Sequence, residues 1–126
     1  MGERQVTGWL LDAADRAQLL ARFPPRFPDV IAHHVTLTTG TDATTPLPVE
    51  TAGEVVGVVD DGAGVEALVV RIAGTTRRSD GSRYHITWSL DRAQGRRAVE
   101  SNDVIARLGW QPLVEAIPIR LVPARF

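Results

Sequence analysis

Two apolar runs, Glu54–Val59 and Val65–Ile72, flank the five residues Asp60-Asp61-Gly62-Ala63-Gly64. Strand-length, β-branched segments on either side of an Asp/Gly turn fit an antiparallel hairpin. A hairpin alone is marginal in water, so the rest of the chain must supply partners that bury its faces.

Short segments of the right kind lie on both sides of it. Val6–Leu11, around Trp9, predicts a first strand. Asp12 then predicts an N-cap, with Asp15 three residues on as its capping partner. Leu19, Leu20 and Phe23 give the following helix an apolar face, and Pro24-Pro25 stops it at Phe23. Val30–Thr38 is rich in β-branched residues and predicts a strand. Thr39–Pro48 is a loop that leaves this strand directly, either as a lid or as a passive connection.

Beyond the hairpin, Arg77–Ser82 is a polar turn and Tyr84–Leu90 a further strand. A short helix is expected after Ser101, ending near Leu108 with Gly109 at its C-terminal cap. From Glu115 to Val122, Ile117, Ile119 and Leu121 alternate with Pro118 and Arg120; the prolines predict an edge strand. Trp9, Trp88 and Trp110 are expected in the core. The sum is a compact α+β fold, a single domain over 1–126, with about six mostly antiparallel strands and two helices.

Composition narrows the chemistry. There is no Cys, which removes disulfides, thiolate metal sites and cysteine nucleophiles from this chain. There is no Lys either: all 14 basic residues are Arg. P-loop phosphate binding through Lys, Schiff-base chemistry and lysyl adducts are therefore excluded. The net charge of -1 gives no polyanion-binding tail. Met1–Leu11 is too short in its apolar part for a signal peptide and no run has the length of a membrane span, so a cytoplasmic protein without membrane partners is expected.

Imidazole chemistry must use His33, His34 or His85. Two of them carry the same pattern, His34-Val35-Thr36 and His85-Ile86-Thr87, on predicted strands. Residues two apart in a strand share a face, so His34 points with Thr36 and His85 with Thr87 and Ser89. By the same alternation His33 is turned away from His34. Two imidazoles flanking one phosphate can deprotonate water and protonate a leaving oxygen, and their ordinary pKa of about 6.5 suits both tasks. The Thr hydroxyls can donate to non-bridging oxygens. Arg71, Arg77, Arg78 and Arg83 crowd the approach to the second motif, and Arg83 shares the face of His85 by alternation; a guanidinium there can clamp a phosphate. The bland alternative is two satisfied polar residues in a sheet, with a solvated arginine turn beside them. A zinc site on the two His lacks a third ligand at a suggestive spacing.

The paired H-x-T motifs resemble those of the 2H phosphoesterase superfamily. The closer likeness is to the cyclic phosphodiesterase domain of fungal and plant tRNA ligases and to related small bacterial RNA-repair-like proteins. It runs through AHHVTLTTG, GEVVGVVDDGAGVEALVV, TTRRSDGSRYHITWSL and the ESND segment near Glu100, from about Phe23 onward. His85 follows His34 by 51 residues, a spacing matched by the compact tRNA-ligase-like branch.

The resemblance implies that the two motifs lie on neighbouring strands, with His34 and His85 as the acid/base pair and Thr36 and Thr87 as phosphate-binding hydroxyls. It implies no metal or other cofactor. The expected substrate is a 2′,3′-cyclic phosphate on an RNA end or nucleotide, leaving a 2′-phosphate. Other readings are a different cyclic phosphate, such as an ADP-ribose cyclic phosphate or a cyclic oligonucleotide, or a non-catalytic RNA- or nucleotide-binding module.

Overall fold

A computed structural model describes residues 5–126; the first four, part of the stretch weighed as a leader, lie outside the described residues. The elements are β1 (Gln5–Leu11), α1 (Ala13–Arg22), β2 (Asp29–Val30), β3 (His34–Thr41), β4 (Ala52–Asp60), β5 (Val65–Arg71), β6 (His85–Leu90), α2 (Glu100–Leu108) and β7 (Gln111–Arg125). A 3-10 turn at Arg92–Gln94 precedes α2. The strands form one sheet in the order β2-β6-β5-β4-β7-β1-β3, with every strand pairing antiparallel. The α+β architecture is the one the sequence predicts, and no helix among the described residues is long and apolar enough to cross a membrane.

The β4–β5 hairpin is built as its turn residues dictate. Asp60 Oδ1 accepts from Gly62 N at 2.7 Å, and Asp61 Oδ1 accepts from Ala63 N at 2.8 Å and Val65 N at 3.0 Å. These Asx contacts satisfy backbone N–H groups that the ladder leaves over. β5 has apolar residues on both faces because both are covered. Leu68 and Val70 join Trp9, Val35, Ile86, Trp88 and Leu121 in one core cluster, with Leu19 of α1. Val65, Ala67 and Val69 join Val104 and Ile105 of α2 in the other. The indoles of Trp9 and Trp88 are fully buried, and each N–H finds a carbonyl, Glu50 O at 2.9 Å and Phe23 O at 2.8 Å. Trp110 is only half-buried: it lies flat on β4 at Gly57, where an added Cβ would stand 2.0 Å from its Cδ1.

Beyond Trp110, expectations about the strands change: Thr39–Thr41, expected as the start of a loop, instead extend β3. The tail is an interior strand, not an edge: β7 lies between β4 and β1. Its prolines survive because it changes partner along its length. Gln111–Pro112 and Ile117–Arg120 pair with β4 on either side of a bulge, and Leu121–Arg125 pair with β1. Pro112, Pro118 and Pro123 thus each fall where the strand has a neighbour on one side only, and alternate N–H groups have no ladder partner to lose.

The expected strand Val30–Thr38 is also two strands. Ala32, fully buried, adopts φ 46°, outside the strand region, and breaks the run. Before the break the chain bonds to β6, through Ile31 N to Trp88 O at 2.9 Å and Ala32 N to Thr87 O at 3.0 Å. After it, Leu11 N donates to His33 O at 3.0 Å and β3 follows β1. One stretch of chain therefore stitches together the two ends of the strand order.

Candidate functional site

That stitch positions the motifs. The bonds from residues 29–32 step along β6 toward His85, so His34, two residues past Ala32, arrives near the level of His85. β3 and β6 are neighbours in space, packed across the seam, although they share no ladder. His34, Thr36, His85 and Thr87 all line one cleft of about 200 Å³. Thr39, Arg78, and Ala98, Val99 and Asn102 at the start of α2 complete its wall.

Each motif side chain is held differently. His85 is buried, and its Nδ1–H donates to Arg83 O at 2.9 Å; a carbonyl can only accept, so Nε2 bears the lone pair of the neutral ring. The Thr87 hydroxyl shares a 2.9 Å hydrogen bond with the fully buried Ser101 hydroxyl and sits 3.3 Å from Ala98 O. His34 is half-buried beneath the ring of Phe126, centroids 4.6 Å apart. Burial, helped by the neighbouring His33 and His85, pushes the His34 imidazole down from 6.5 to about 4. His85 is also lowered, chiefly by burial and further by the Arg78 charge, against a raising contribution from its hydrogen bond to Arg83.

The arginines divide unexpectedly. Arg78 is 6% exposed and lines the cleft; its Nε and Nη2 both donate to Leu37 O at 3.3 Å. Its closest carboxylate, Asp80, stands 3.6 Å away and is itself exposed. Arg83, which alternation put beside His85, is instead outside the strand. Its guanidinium donates to Thr76 Oγ1 at 3.0 Å and lies 5.6 Å from the Trp110 ring centroid, in a separate hollow. Arg77 is exposed and does not line the cleft. Alternation fails here because β6 begins at His85 and the two preceding residues follow the Arg77–Arg83 bridge.

His33 also departs from expectation. Its ring is not turned away: His33 Nδ1 and His34 Nδ1 are 3.0 Å apart in one hydrogen bond. Ala32 takes the chain out of strand geometry, so His33 belongs to no strand and the two-residue alternation does not govern it. Ser89 leaves the motif group as well, its hydroxyl donating to Glu66 Oε1 at 2.6 Å. That carboxylate borders a larger hollow of about 380 Å³ near Trp110, but Ser89 and Arg26 N, at 3.0 Å, already occupy it.

Ser101 and Asn102 lie in the ESND segment, but no pattern within it assigns Asn102 to the cleft wall or the buried Ser101 to Thr87 behind it; the packing of α2 against β5 and β4 does so. Among the described residues no three His, Asp or Glu side chains converge as a metal-ligand set. The cleft is thus defined by two imidazoles, three threonines and one enclosed guanidinium. Comparison with known proteins returns no family model, curated protein or solved structure that matches this chain.

Proposed function

We propose that this chain is a metal-independent phosphodiesterase of the 2H phosphoesterase type, acting on a 2′,3′-cyclic phosphate of an RNA end or nucleotide. The observation that carries the reading is the convergence of both His-x-Thr pairs, 51 residues apart, on one cleft with a buried arginine in its wall. Satisfied sheet residues need no common cavity and no enclosed cation.

The chemistry follows from the groups present. The phosphate sits between the imidazoles, its non-bridging oxygens facing Thr36, Thr87 and Arg78. One imidazole takes a proton from water as the water oxygen bonds to phosphorus. The P–O3′ bond breaks, the other imidazole gives its proton to O3′, and a 2′-phosphate remains. Ser101 supports this by donating to Thr87, which frees the Thr87 proton to turn from Ala98 O to the phosphate. Arg78 supplies fixed positive charge where negative charge accumulates, and its enclosure strengthens that interaction relative to water.

The test is incubation with a nucleoside 2′,3′-cyclic phosphate in excess chelator, followed by phosphorus NMR. Conversion to the nucleoside 2′-phosphate is the expected result. Conversion to the 3′-phosphate overturns the regiochemistry, and tight binding without turnover makes the chain a nucleotide-binding module. Turnover only after zinc or manganese is restored contradicts metal independence.

A further inference from the structure

The two cleft histidines are held by partners of different kinds. His85 Nδ1 faces the Arg83 carbonyl, which fixes its tautomer unconditionally. His34 Nδ1 faces another imidazole nitrogen at 3.0 Å, and only one of the two can carry the proton between them. If His33 donates, neutral His34 bears its proton on Nε2 and has no lone pair to offer the cleft. If His33 accepts, His34 Nε2 is the bare nitrogen.

We propose that His33 is a positioning residue for His34: its Nδ1 accepts the His34 Nδ1–H and fixes the tautomer in which His34 Nε2 presents its lone pair to the cleft. The arrangement is built into the backbone. The positive φ of Ala32 swings His33 out of strand alternation, while Ala32 is itself pinned by its N–H to Thr87 O and by Arg16 Nε, which donates to Ala32 O at 2.8 Å. The His33 and His34 rings meet nearly edge-on, 80° between planes, and Phe126 packs against both. The His34 ring is therefore held by His33 and Phe126 before any ligand arrives. When His34 accepts a proton at Nε2, the resulting imidazolium keeps its Nδ1–H on His33, and that charge-assisted bond helps to hold it.

The inference rests on the acid/base reading of the cleft, but its decisive readout does not. In nitrogen-15-labelled protein at pH 7, long-range proton–nitrogen correlation spectra report which His34 nitrogen is bare. Wild type should show a bare Nε2 and a protonated Nδ1. His33→Phe keeps an aromatic ring against Phe126 but offers no acceptor, and should shift His34 toward the Nε2–H tautomer. His33→Asn restores an acceptor and should restore the wild-type pattern. On a cyclic phosphate, His33→Phe should lower kcat about 10–100-fold, the usual cost of removing a group that orients a reactive imidazole, with KM little changed. A wild-type His34 already protonated on Nε2, or a His33→Phe protein with unaltered tautomer, overturns the proposal. The wild-type spectrum with no turnover of any cyclic phosphate leaves the positioning role intact and overturns only the phosphodiesterase reading.

Discussion

Burial makes His34 and His85 poorer proton holders than free imidazoles, and that has two measurable consequences. With His34 lowered to about 4 from 6.5, the unfolded chain binds more protons than the folded one between those values. Its contribution to stability is whole above pH 6.5 and lost as pH falls toward 4; His85, shifted in the same direction, adds to the loss. Urea midpoints should therefore drop between pH 7 and pH 4.5, and drop less in His34→Gln. The proposed acid/base mechanism needs one protonated ring, so kcat/KM should peak on the acid side of 6.5 and fall by up to about tenfold per pH unit above the upper pKa. Arg78 should matter through the charge it supplies to the phosphate. Arg78→Gln is expected to lower kcat/KM for a cyclic phosphate at least tenfold and to cost roughly 1–3 kcal/mol of stability, because Leu37 O loses its donors. Arg77→Gln, at an exposed position, should leave kcat/KM within about twofold.

At the scale of elements, the cleft depends on how closely β1 approaches β3. Gly8 faces Thr36 in the ladder, and a Cβ there would stand 2.2 Å from Val35 O, a backbone atom that cannot swing aside. Gly8→Ala should destabilise by about 3 kcal/mol, read as a lowered urea midpoint, and displace the strand that carries His34. Ala32→Val tests the stitch: a β-branched residue held at positive φ should cost roughly 2 kcal/mol. The sequence makes β5 legible through its unbroken apolar run and α1 through Asp12 and the Pro24-Pro25 stop. It leaves the Ala32 break hidden, since alanine carries no signal for a positive φ, and that omission is what misplaced His33. The interior position of β7 was hidden for another reason. Proline reports a missing donor at one residue, whereas the exchange of partners near Arg120 is a property of the whole sheet. Arg83 shows the limit of alternation, which holds within β6 and fails two residues before it begins.

For the whole molecule, the site joins pieces from well-separated positions in the strand order. β3 and β6 meet only because residues 29–34 cross from one to the other, and α2 closes the cleft by docking Ser101 against Thr87. The motif residues His34, Thr36, His85 and Thr87 were legible as pairs; their meeting, and the choice of Arg78 over its neighbours, required the folded chain. The central claim is that the two histidines act as one unit on one phosphate. The direct measurement is a double-mutant cycle: turnover of a nucleoside 2′,3′-cyclic phosphate in chelator by wild type, His34→Ala, His85→Ala and the double variant. Each single change should cost about 10²–10⁴-fold, and the double far less than the product of the two. Full activity in either folded single variant, or losses that simply multiply, contradicts the account.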